Sequence, residues 1–120
     1  MKGRTLFHTP AAEDLARPIC KALNIEPCAI YINQFPDSEW YVSIPEETAD
    51  PNPIVVHRLF PNQNDCLFQL MLILSELSER SQKATLVAPY LPYAKMHKKV
   101  QPGEVVSAKM ISAWLSRWTK

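Results

Sequence analysis

Apolar positions along this chain recur in two periods, and the switches between them mark where strands give way to helices. Thr5–His8 predicts a short first strand. Thr9-Pro10 then opens a helix, with Thr9 as N-cap and Pro10 in the first helical position. Leu15, Ile19 and Leu23 give that helix a buried stripe, and Pro18 is expected to kink or split it near Arg17. Cys28–Phe35 sets Tyr31 and Asn33 against Ile30 and Ile32, the alternation of a second strand. The turn cluster Pro36-Asp37-Ser38 and a strand over Trp40–Ile44 complete a β-hairpin. A polar, proline-rich loop follows over Pro45–Pro53.

The second half repeats the strand-to-helix pattern. Ile54–Leu59 is rich in branched residues and predicts a central strand, followed by a turn over Pro61–Asn64. Asp65–Arg80 predicts a strong helix with Leu67, Leu70, Met71, Leu74 and Leu77 on one face. Leu72 and Ile73 widen that face, so a second side of the helix is expected to be covered. Thr85–Pro89 predicts a further buried strand. Tyr90–Val106 has no period, and unstructured loops of this length are usually functional or mobile. Ser107 then caps a last helix over Ala108–Trp118, with Ile111, Trp114, Leu115 and Trp118 on one face. The expected fold is α/β: a mostly parallel twisted sheet flanked by helices, with an added β-hairpin, in one domain over residues 1–120.

Composition narrows the chemistry. The net charge of +1 gives no global field for nucleic acid or membrane, so anion binding must be local. Three cysteines without metal-ligand spacing, Cys20, Cys28 and Cys66, read as buried thiols in a reducing compartment. Met1–His8 lacks the apolar stretch of a signal peptide, and Leu70–Leu74 is too short to cross a bilayer, so a cytoplasmic location is expected. With only 2 glycines beside 11 prolines, a glycine-rich phosphate loop cannot be built. A phosphate site here has to use side chains and helix N-termini.

In open parallel sheets, ligands bind beyond the carboxyl ends of the strands. Arg58–Asn64 and Tyr90–Val106 both leave such ends. The latter carries Lys95, His97, Lys98 and Lys99, which could meet phosphate or simply form a solvated basic loop. The hairpin turn carries Phe35, Asp37 and Glu39. An aromatic beside two carboxylates could hold a base, or the turn could be an ordinary acidic tip. His8 and His57 read as structural, and no catalytic or metal set is assigned.

Taken in order, several segments resemble the N-terminal domain of ribose-phosphate pyrophosphokinase (PRPP synthetase). They are Phe35-Pro36-Asp37-Ser38-Glu39, Ile54-Val55-Val56 leading to Asn62-Gln63-Asn64-Asp65, Val87-Ala88-Pro89-Tyr90-Leu91-Pro92-Tyr93-Ala94, and Gln101-Pro102-Gly103-Glu104 followed by Ser107-Ala108-Lys109. The Pro-Gly-Glu loop is most similar to the archaeal branch. The resemblance implies a phosphoribosyltransferase-like fold and the ATP-side, oligomer-forming half of an enzyme that moves the diphosphoryl group of ATP, with Mg²⁺, to ribose 5-phosphate. It implies that Phe35 stacks on adenine with Asp37 and Glu39 by its amino edge, in a neighbouring subunit's site. Two departures accompany it. The family's Arg-Gln-Asp is here Lys95-Met96-His97, and its turn glycine is Ser38. The family's metal-binding, catalytic and ribose-phosphate segments come after the point where this chain stops, so turnover by this chain alone is not expected. The alternatives are a stand-alone regulatory or associated subunit without catalysis and a plain interaction module. A partner is expected in each case, either a second copy or a separate PRPP-synthetase-like chain.

Overall fold

The computed structural model describes residues 3–120. Met1 and Lys2, at the start of the segment expected to lack a signal peptide, lie outside the described residues. Four short strands form a parallel sheet: β1 (Leu6–His8), β2 (Pro27–Ala29), β5 (Ile54–Val56) and β6 (Thr85–Val87), in the order β2-β1-β5-β6. Two more, β3 (Tyr31–Gln34) and β4 (Trp40–Ser43), pair antiparallel as a separate hairpin. The helices are α1 (Glu13–Leu23), α2 (Gln63–Glu79) and α3 (Ser107–Trp118).

Alternation in the strands divides the core. Phe7, Val55 and Leu86 lie in register across the sheet and face α2, α3 and the hairpin. Leu6, Ile54, Val56 and Val87 face α1. Small residues of α1, namely Ala12 just before it, Ala16 and Cys20, are buried, while Leu15, Ile19 and Leu23 pack beside them half-buried. The stripe is therefore centred one position away from the leucines, where small side chains let the helix lie close to the sheet.

The expected strand over Cys28–Phe35 is broken at Ile30. The Ile30 amide donates to the His8 carbonyl, which ends the ladder with β1. Ile30 itself is buried, and beyond it the chain turns off the sheet and pairs with β4. Pro18 does not split α1, which is continuous from Glu13 to Leu23. Pro18 is exposed, and the carbonyl it leaves without a donor belongs to exposed Asp14. Thr9 precedes a 3-10 turn at Pro10–Ala12 and makes no side-chain cap; its hydroxyl bonds His57 instead. Ser107 is the first residue of α3, and Val106 takes the cap position.

Helix α2 begins at Gln63, two residues earlier than expected, after Asn62 in a left-handed conformation. Its buried face is Cys66, Leu70, Ile73, Leu74 and Leu77; Met71 is exposed. The second covered side is real: Leu72 is half-buried in a groove with Trp40–Ile44 of the hairpin. Trp114 and Trp118 pack on the core and on each other, with ring centroids 6.4 Å apart. All three cysteines are free thiols; Cys20 and Cys66 are buried and Cys28 is half-buried. Burial pushes all three thiols upward in pKa, with nearby Glu26, Glu46 and Asp65 adding to the shift at Cys20, Cys28 and Cys66 respectively. Among the described residues, no helix is long and apolar enough to cross a membrane.

Candidate functional site

Strands β5 and β6 run parallel, so the segments after them open on one edge of the sheet. The structure brings these segments together around a cleft of about 590 Å³. One wall is the start of α2, Asn62 to Asp65; the other is Tyr90, Tyr93, Lys95 and Met96. The first backbone N–H that closes the α2 ladder is that of Cys66, bonded to the Asn62 carbonyl. The amides ahead of it have no intrahelical acceptor and form the positive end of the helix.

The walls are tied and strained. The Tyr93 hydroxyl donates to Asn64 Oδ1 across the cleft. Asn62 and Tyr93 both have positive φ, 63° and 67°. For a bulky residue such as Tyr93 this is a costly conformation, of the kind that concentrates at ligand sites. Asp65 places a carboxylate in the same cleft, and Trp40 Nε1 of the hairpin donates to its Oδ1 at 3.3 Å. The Met96 carbonyl accepts from the Ala108 amide at 3.1 Å, which anchors the loop to the start of α3.

Of the basic residues singled out in the sequence, Lys95 lines this cleft. His97, Lys98 and Lys99 are exposed in the stretch that follows, and Lys99 borders a different hollow with Gly103 and Lys109. Beside them Glu104 accepts from the Val100 and Gln101 amides at 2.8 and 2.9 Å, and these bonds hold its carboxyl below the usual range. Phe35, Asp37 and Glu39 sit together at the hairpin tip and are not among the residues lining this cleft. Phe35 is 44% exposed and meets Tyr41 edge-to-face at 5.9 Å; Tyr41 meets Tyr31 in the same way. Asp37 Oδ1 accepts from the Glu39 amide, a local turn bond. Ser38 takes φ 78°, the positive value that a glycine would hold freely.

Sequence reasoning named the two segments but missed Asn64, Tyr90 and Tyr93 as cleft residues. Their signal was position alone, immediately after a strand or at a helix start. Among the described residues, no group of three or more His, Cys, Asp or Glu side chains converges to hold a metal ion.

A parallel sheet flanked by helices, with a cleft at its carboxyl edge built from a helix start and a long loop, defines an α/β domain. Residues 4–118 match the N-terminal domain of ribose phosphate pyrophosphokinase, and the chain belongs to that family. The chain is 32% identical over 103 residues to the ribose-phosphate pyrophosphokinase of Methanobrevibacter smithii, covering 85% of this chain and 34% of that protein. It is 29% identical over 118 residues to that of Rhodopirellula baltica, covering 98% and 37%. The crystal structure of phosphoribosylpyrophosphate synthetase from Mycobacterium smegmatis superposes with a TM-score of 0.86 at 25% identity, covering 97% of this chain and 39% of that one. The chain thus spans about a third of the length of the curated relatives it matches.

Proposed function

We propose that this domain is the nucleotide-binding and subunit-contacting half of a ribose-phosphate diphosphokinase, of the archaeal type, working with a second half that supplies the remaining catalytic parts. The observation that carries the reading is the cleft: the open start of α2 faces Lys95 across a gap lined by Tyr90 and Tyr93. A helix N-terminus and a lysine attract a phosphate chain, and aromatic walls accept the rest of a nucleotide. Asp65 in the same cleft disfavours a bare polyanion and favours ATP that arrives with Mg²⁺ on its phosphates. The metal would come with the nucleotide, since this chain offers no chelating set among its described residues.

The exposed Phe35, with Asp37 and Glu39, serves as an adenine clamp for a neighbouring subunit. Its exposure and its edge-to-face contact with Tyr41 favour that role. His97, Lys98 and Lys99 add positive charge at the mouth of the loop. Binding and orienting the nucleotide are the tasks these residues can perform; bond making needs groups from the other half.

One observation favours a second reading, a non-catalytic homologue acting as a regulatory or associated subunit. Lys95-Met96-His97 stands where the family carries Arg-Gln-Asp. Lysine lacks the planar fork that arginine offers to a base or phosphate. Calorimetric titration with Mg·ATP, ADP and AMP decides between them. The nucleotide reading expects saturable binding that strengthens with phosphate number and weakens several-fold in Lys95→Ala. Absence of binding at millimolar nucleotide, in the presence of the partner half, favours the non-catalytic homologue.

A further inference from the structure

We infer that the outer face of the β3–β4 hairpin is an interface with a second copy of this chain, packed antiparallel about a two-fold axis near Tyr41. The inference rests on the subunit-contact part of the reading above and names the surface that makes the contact. Side chains alternate along each strand of a hairpin, so cross-strand partners share a face. Ile32 and Val42 are partners and pack against the core. Tyr31 with Ser43, and Asn33 with Tyr41, are the partners on the opposite face. Tyr31 is 54% exposed and Tyr41 45%. Tyr41 stands between Tyr31 and Phe35, edge-on to each ring at 5.9 Å.

Three rings in mutual contact, each about half exposed, leave roughly 300 Å² of continuous aromatic surface. Patches of this size often serve recognition. The composition of this face is that of an interface centre: aromatic rings, an amide and a hydroxyl, with no charge. The other exposed apolar surfaces fit a second copy less well. Val105 and Met110 border a hollow with Lys99 and Lys109, so two copies meeting there would oppose like charges. Phe68 and Met71 amount to a single turn of α2.

Charge sets the direction of the pairing. Asp37 and Glu39, the charged residues of the hairpin, lie at its tip. Parallel stacking would bring two acidic tips together. Antiparallel stacking separates them and points each tip towards the body of the other copy, which carries the exposed basic stretch His97–Lys99. The neutral face between tip and base is self-complementary, as a two-fold contact requires. A contact of this size is at the low end for specific interfaces, so the pairing is reversible, with a Kd on the order of micromolar.

The test is sedimentation velocity of the full chain across the micromolar range, where the wild type should pass from monomer to dimer. Tyr41→Lys and Tyr41→Asp each place like charges across the axis and should weaken the dimer about tenfold or more. An equimolar mixture of the two variants opposes unlike charges and should recover the dimer. Recovery also shows that both variants are folded. Met110→Asp, on the other apolar surface, should leave association unchanged. The inference is overturned if either Tyr41 variant associates as the wild type does, if the mixture stays monomeric, or if Met110→Asp dissociates the dimer. A wild type that stays monomeric throughout overturns the subunit-contact reading as well. A dimer indifferent to Tyr41 overturns the inference alone.

Discussion

Neutral His57 at the junction of β5 and α2 makes the stability of this domain depend on pH in a defined direction. The ring is 2% exposed and accepts from Thr9 while donating to Cys66. Burial lowers its pKa below the ordinary histidine value, against a smaller opposing effect of the Cys66 bond. The unfolded chain therefore takes up a proton near pH 6.5 that the folded chain refuses. The contribution is fully present above the unfolded pKa. It is lost as pH falls from there to the folded pKa, with a slope of at most about 1.4 kcal/mol per pH unit. His57→Gln places an amide donor near the Cys66 carbonyl but cannot titrate. It leaves the Thr9 hydroxyl without its acceptor, a loss of about 1–2 kcal/mol at neutral pH. Urea unfolding of both proteins, followed by tryptophan fluorescence between about pH 5 and 8, gives the difference curve. The gap between wild type and variant should be widest at neutral pH and close as the solution is acidified. A constant gap across that range would show that His57 titrates alike in the folded and unfolded chains, and the argument from burial would fail.

Other residues give sharper local tests. Ser38→Gly relieves a left-handed serine and should stabilise the domain by about 0.5–1 kcal/mol, net of the entropy glycine adds to the unfolded chain; thermal unfolding reads it as a higher midpoint. Leu74→Ala, at a 1% exposed position of α2, should cost about 2–5 kcal/mol in denaturant unfolding. Glu104 holds the Val100 and Gln101 amides with a carboxylate whose pKa is lowered by those bonds. That restraint is present above the ordinary carboxylate pKa and disappears as pH falls through the lowered one. Glu104→Gln should therefore speed hydrogen exchange of both amides at neutral pH, and unchanged exchange would remove the restraint.

Strand β5 was legible because Ile54-Val55-Val56 is a run of branched residues ahead of a turn signal. The break at Ile30 was not. Alternation continues unbroken from Cys28 into the hairpin, and the strand divides because its partner β1 ends at His8, a fact of pairing that no local pattern contains. Met71 was placed on the buried face because it is as apolar as its neighbours. Only the arrangement of the sheet and hairpin around α2 decides that Leu72 is the covered side. At the cleft, the two ligand-facing segments were legible from the parallel order, and Lys95 from its charge. Tyr93 was not, because its role rests on a left-handed backbone and a bond to Asn64 over a separation of 29 residues.

The hairpin leaves the sheet at Ile30 and rejoins the core at Ile44, and both are buried, at 1% and 5% exposure. Ile32 and Val42 seat its lower half, while residues 35–39 project without burial. It is a lever with its fulcrum in the core. At about 3.3 Å per residue, the tip stands on the order of 15 Å from the fulcrum, so a tilt of about 5° moves Phe35 by about 1 Å. Trp40, bonded to Asp65, couples that tilt to the start of α2. The Trp40–Asp65 bond thus ties the position of the aromatic tip to that of the α2 start, as two ends of one arm.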